Sequence, residues 1–285
     1  MLIRIPVAHY TAHPYRVVIT YIRHELIRPA VYLDHWALML FSENDALRQR
    51  FIHTLRQAGG TLCLSLLNCV ELCRPCDPRH AEAVDRLIDD LSPQLFFIDA
   101  GANLQRALLD DFQLVGDLKM AANVELRRAA GQLGDFRTFW NLGQGVPPSG
   151  DQSLREIFDE TTAGLSMSCN DIRKSMDFVA NMRKVSPVTG HSAGWVFLSE
   201  LVRQPFLNPR EGVNANDVSD INHALNALHC DYILLDAGWS SKLNQARPRL
   251  AAAGVSAAAC YSGKSRDLER FLLDLAAHNV SASAF

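Results

Sequence analysis

The sequence predicts an α/β protein: an open parallel sheet with flanking helices and one large helical insertion. Three features carry that expectation. Short apolar runs at residues 30–33, 61–64, 94–98 and 232–235 have the uniform hydrophobicity of strands buried on both faces. Helical stretches follow most of them, and strands alternating with helices wind right-handedly into a sheet. Between residues 103 and 202 the alternation stops, and only helical patterns remain.

Residues 1–29 precede the first clear strand and show no strong period; an extra strand, an arm or a later start all suit them. After 30–33, Asn44 or Asp45 can cap a helix that reaches Ala58 and stops at Gly59-Gly60. After 61–64, Ser65 can cap a helix through Glu71, and a further helix fits 80–91. The 94–98 strand leads into the insertion, drawn at 103–205, with a Gly/Pro-rich interruption at 143–150. Asn216 or Asp217 can cap a helix through Leu228 that feeds the 232–235 strand. A weaker strand at 255–260 precedes the last helix, 265–278, whose Leu268, Phe271, Leu272 and Leu275 share a face. The chain thus divides into an extension (1–29), a first half-core (30–102), the insertion (103–205) and a second half-core (206–285).

Composition narrows the class. With 48 % apolar and 21 % charged residues the 285-residue chain is globular rather than disordered. A net charge of −3 excludes a protein that coats nucleic acid by charge alone. No apolar run approaches the roughly 20 residues of a membrane helix, and His9 and His13 fall where a signal peptide would be apolar. The odd count of 7 cysteines suits reduced thiols. A cytoplasmic protein without a membrane segment is expected.

The informative pattern is acidic. Asp34 ends the first strand and Asp236 ends the fourth, and sites in open α/β sheets form outside the carboxyl ends of strands. Glu71 lies on the helix after the second strand. Asp217 and Asp220 open the helix that feeds the fourth strand, three apart and so on one side. Each acid taken singly suits a loop or a helix cap. Together they converge on one end of the sheet, where their mutual repulsion calls for a cation. Hard carboxylate oxygens select Mg²⁺ or Mn²⁺ over zinc.

The order strand-Asp34, helix-Glu71, then Asn216-Asp217-Val218-Ser219-Asp220-Ile221-Asn222-His223-Ala224 leading into Cys230-Asp231-Tyr232-Ile233-Leu234-Leu235-Asp236 resembles a PIN domain. That is a family of metal-dependent nucleases acting mostly on RNA. The resemblance covers about residues 30–98 and 214–280. It implies that Asp34, Glu71, Asp220 and Asp236 hold Mg²⁺ or Mn²⁺, with Asp217 an additional catalytic acid. It also implies endoribonuclease activity through a metal-activated water, leaving a 5′-phosphate and a 3′-hydroxyl. An antitoxin-like inhibitor and a homodimer are compatible partners. The long insertion, and His35-Trp36 where many members have small polar residues, depart from compact members. The rival expectations are a non-catalytic PIN-like module binding RNA or protein, and a metal-dependent DNA nuclease or phosphatase.

Other signals are weaker. Cys69, Cys73 and Cys76 have a C-x3-C-x2-C spacing, but on an apolar helix they suit buried thiols better than an iron–sulfur cluster. Cys230 and Cys260 read as core. His223 is expected to be a satisfied helix histidine, with substrate contact the alternative. Asp99 and Asp231 suit loop roles, while Ser65 and Asn68 lie near the Glu71 face and could bond a phosphate. Gly143 to Gly150 lacks the features of a phosphate loop. Arg127, Arg128, Arg137, Arg173, Lys174, Arg183 and Lys184 suit a solvated helical face or a backbone-binding groove.

Overall fold

The computed structural model describes residues 2–10, 17–65, 67, 68, 71, 78–91, 94–98, 154–183, 193–208 and 212–282. The chain opens with β1 (Leu2–Tyr10) and β2 (Val17–Glu25), an antiparallel pair running from Leu2 opposite Glu25 to Tyr10 opposite Val17. This pair forms a two-stranded sheet of its own, separate from the core sheet. The core follows with β3 (Ala30–Leu33), α1 (His35–Glu43), α2 (Asp45–Gln57), β4 (Thr61–Ser65), α3 (Pro78–Leu91) and β5 (Leu95–Ile98). Helices α4 (Leu154–Arg173), α5 (Met176–Arg183) and α6 (Ala193–Leu207) come next. The chain ends with α7 (Ala215–Leu225), a short 3-10 turn (Asn226–Leu228), β6 (Tyr232–Leu234), α8 (Ala237–Ala252), β7 (Ala259–Tyr261) and α9 (Ser265–Ala282).

The five core strands form an all-parallel sheet in the order β5-β4-β3-β6-β7. The chain builds outward from β3 in one direction, then returns to lay β6 on the other side of β3. That reversal makes the gap between β3 and β6 the topological switch point, where doubly wound sheets hold ligands. Alternate side chains leave a strand on opposite faces. Val31, Leu33, Leu62 and Leu64 enter a core shared with Phe41, Phe51, Leu87 and Phe271. Ala30, Tyr32 and Ile233 enter the opposite core, closed by Phe197, Ala224 and Leu243. Each residue of β3 is fully buried, which is why these strands read as continuous apolar runs rather than as alternating ones.

Local chemistry sets the boundaries. The first helix starts earlier than the sequence predicts: Asp34 caps a separate α1, and Asn44 closes α1 and caps α2 by accepting from the Leu47 N–H at 3.0 Å. His35–Glu43 is apolar nearly all round, so no amphipathic period announces it. Gly59 takes φ +62° to end the turn after α2, and a Cβ on Gly60 would stand 2.5 Å from the Pro29 carbonyl oxygen. Helix α7 is capped by Asn214 rather than Asn216 or Asp217, through a reciprocal box in which Asp217 accepts from the Asn214 N–H. Among the described residues no helix is long and apolar enough to cross a membrane.

Candidate active site

The carboxyl ends of β3 and β6 are joined directly at the switch point, because the Asp34 N–H donates to the Leu234 carbonyl at 3.1 Å. Asp34 is buried, and its Oδ1 accepts from the Ala37 N–H at 3.1 Å. Asp236 repeats the device at the start of α8, accepting from the Gly238 N–H and, at 3.0 Å, from the Trp239 N–H. Two helix N-termini therefore converge on this edge, each stabilising one carboxylate.

Glu71 comes from the helical segment behind β4 and is 6 % exposed. Its Oε2 lies 2.8 Å from Nε2 of His223, a residue of α7 that is 2 % exposed. The other imidazole nitrogen, Nδ1, lies 2.8 Å from the hydroxyl of Tyr32, which is 2.8 Å from Ser65 Oγ. Ser65 Oγ donates to Asn68 Oδ1 at 3.2 Å, and Asn68 Nδ2 donates to the Leu33 carbonyl at 2.9 Å. An unbroken buried chain of hydrogen bonds thus ties Glu71 to the backbone of β3. Ser65 and Asn68 are spent inside this chain, away from a phosphate-binding role, and His223 is satisfied on both sides while still reaching the site.

Asp220 stands on α7 one turn before His223. Asp34, Glu71, Asp220 and His223, with Trp36 and Ser219, line a single pocket of about 340 Å³. Asp236 and Asp217 lie outside that lining. The charge of Asp236 nevertheless reaches Asp220, whereas Asp217 is held by its capping box and lies 3.9 Å from Lys242 Nζ.

The crowding is visible in proton affinity. Burial, reinforced by Glu71 and Asp220 and only partly offset by His223 and the Ala37 N–H, pushes the Asp34 carboxyl up to about 7. Burial and then the charge of Asp236 push Asp220 up to about 7 as well. For His223, burial disfavours the charged ring, but the adjacent Glu71 carboxylate outweighs it, with Asp34 and Asp220 adding, and the imidazole is raised above its ordinary value. In the imidazolium form Nε2 donates to Glu71 and Nδ1 to Tyr32, so the Tyr32 hydroxyl donates onward to Ser65.

Among the described residues no three His, Cys, Asp or Glu side chains form a ready-made metal cage. The reason lies in the commitments above: Asp34 and Asp236 turn onto their own helix N-termini, and Glu71 onto His223. The four sequence-predicted ligands are thus drawn to one edge without closing around a common point. Their donor set is all hard oxygen. It fits Mg²⁺ or Mn²⁺ held through one or two carboxylates and intervening waters rather than by a protein cage.

Elsewhere, Asp231 turns inward to accept from the Ala30 N–H at 2.7 Å and pairs with Arg28. Cys230 and Cys260 are buried in the core. Arg173 bonds Asn170 and the Asn208 carbonyl, and Lys174 pairs with Asp171 at 2.7 Å. Cys69, Cys73, Cys76, Asp99, Arg127, Arg128, Arg137, Lys184, the 143–150 segment and the Arg183 side chain lie outside the described residues. Sequence reasoning passed over Tyr32, whose signal was the one hydroxyl in an otherwise apolar strand. It also passed over Ser219, visible only as the neighbour of Asp220. No protein-family model, curated protein or solved structure matches this chain.

Proposed function

We propose that the chain is a metal-dependent nuclease of PIN-like architecture that hydrolyses phosphodiester bonds in RNA. One observation carries the reading: three carboxylates and a histidine from the N-cap of α1, from α7 and from the segment behind β4 line one pocket at the switch point, with two of the acids raised to about 7. Like charges so placed cost stability, and a cation recovers it. The position of the pocket at the switch point between β3 and β6 and the chain order Asp34, Glu71, Asp220, Asp236 support the same reading.

Asp34, Glu71, Asp220 and Asp236 would hold Mg²⁺ or Mn²⁺, which supplies Lewis-acid stabilisation of phosphoryl charge and a more acidic water. The chain's own contribution is orientation. His223 fixes the Glu71 carboxylate, Tyr32 fixes His223, and the helix caps fix Asp34 and Asp236. Asp34 and Asp220, raised to about 7 while no cation offsets their burial and crowding, would give up their protons as one binds, and Asp217 holds the start of α7 in place. An antitoxin-like inhibitor, a homodimer and a cytoplasmic setting belong to the same proposal.

The capping commitment of Asp34 and Asp236 favours a second reading, a non-catalytic module that binds RNA or protein. Asp236→Asn separates the two, because Asn caps helices as well as Asp does and the fold is retained. In a nuclease, cleavage of labelled single-stranded RNA requires Mn²⁺, stops with chelator, and falls roughly 100-fold or more in the variant. That exceeds the 10–100-fold typical of residues that only orient a ligand. In a module, wild type does not cleave, and the variant binds RNA at least as tightly. Parallel reactions on single-stranded DNA and a phosphomonoester address the remaining enzyme classes.

A further inference from the structure

Two residues that line the acidic pocket each carry a buried donor with no hydrogen-bond partner among the described residues. Ser219, 2 % exposed, lines it, and its hydroxyl has no hydrogen-bond partner among the described residues. A helical serine commonly returns its hydroxyl to the carbonyl one turn back. Ser42 does so here, donating to the Leu38 carbonyl at 2.6 Å, and Thr54 donates to the Arg50 carbonyl at 2.8 Å. Ser219 does not. Trp36 also lines the pocket, and its buried Nε1 has no partner among the described residues. The benzenoid edge of this indole packs on Gly263, where a Cβ would stand 2.6 Å from Cζ3. Nε1 lies on the opposite edge of the ring and is turned away from that contact.

An indole N–H can only donate, and leaving a buried donor unmade is costly. The pocket's carboxylates are acceptors, yet neither donor is spent on them. The arrangement suits a ligand that brings its own acceptor oxygens. We propose that Ser219 Oγ and Trp36 Nε1 are the pocket's ligand-binding donors and that they take a phosphoryl group. A phosphoryl group has enough oxygens to meet two separate donors and a cation together, and a pocket of about 340 Å³ lies at the small end of ligand sites. The inference rests on the nuclease reading for its substrate, a nucleic-acid phosphodiester. The donor geometry stands apart from that reading.

The test compares thermal melts of wild type, Ser219→Ala and Trp36→Phe against inorganic phosphate in Mg²⁺, with chloride at equal ionic strength as control. KM and kcat on single-stranded RNA are measured in parallel. Removing an unpaired buried hydroxyl does not destabilise. Ser219→Ala is therefore expected to melt at or above wild type while needing roughly tenfold more phosphate for the same shift, and to raise KM for RNA. Trp36→Phe weakens the phosphate response in the same direction. A Ser219→Ala protein that melts lower with an unchanged phosphate response overturns the inference, as does a wild type indifferent to phosphate. A Ser219-dependent phosphate response without RNA cleavage upholds the oxyanion site and removes the nuclease reading. Metal-dependent cleavage with both variants matching wild type does the reverse.

Discussion

Replacing Asp220 by Asn should stabilise the metal-free protein. An acid whose folded pKa is raised favours the native state only while protonated, so its contribution is intact below the unfolded value. It is lost as pH climbs from about 3.8 to about 7. At about 1.4 kcal/mol per pH unit, that rise is an upper bound of about 4 kcal/mol. The partial exposure of Asp220 and the need to satisfy an amide bring the expected gain to about 2–4 kcal/mol. For a chain of 285 residues this is roughly 4–10 °C in melting temperature, at about 2 °C or slightly more per kcal/mol. The assay is a pair of chelator-treated melts at pH 7.5 and pH 4 for wild type and variant. The advantage is expected at pH 7.5 and should vanish near pH 4, where both side chains are neutral. Millimolar Mn²⁺ should narrow it from the wild-type side, since a cation that binds native carboxylates stabilises the fold by mass action. An Asn variant no more stable than wild type at pH 7.5, or an advantage independent of pH, would refute the claim that these acids repel one another in a dry site.

Two further outcomes follow from the same network and its surroundings. Tyr32→Phe removes a fully buried hydroxyl that meets both Ser65 and His223, so it should cost about 1–3 kcal/mol in a denaturant titration; an unchanged midpoint would show the chain to be slack. His229 is held down to about 4 by burial and then by Arg28. Its contribution is therefore complete above about 6.5 and is lost as pH falls towards 4, by about 3 kcal/mol at most. The stability gap between wild type and His229→Gln should shrink across that window, and a gap that stays constant with pH would count against it.

How much of this was legible beforehand differs from element to element. Apolar runs such as 30–33 and 61–64 announce strands because both faces of a parallel sheet are dry, leaving composition alone sufficient to locate them. Asp34 and Asp236 were legible because a polar residue closing such a run must leave the sheet at its carboxyl end. Helix α1 was not legible, since His35–Glu43 is packed on several sides and shows no period. The weaker run at 255–260 exceeded β7, which begins only at Ala259 after Gly254 has turned at φ +76°. Residues 30–33 and 61–64 by themselves determined the central strands, and the order of the acids pointed to the carboxyl end of the sheet. Only the tertiary structure decided the rest. It turned Glu71 onto His223, committed Asp34 and Asp236 to helix caps, and left the Ser219 hydroxyl and Trp36 Nε1 without a partner among the described residues. Spacing along a chain governs which residues share a face, whereas hydrogen-bond partners are chosen by proximity across elements distant in sequence, where burial makes every unmade bond costly.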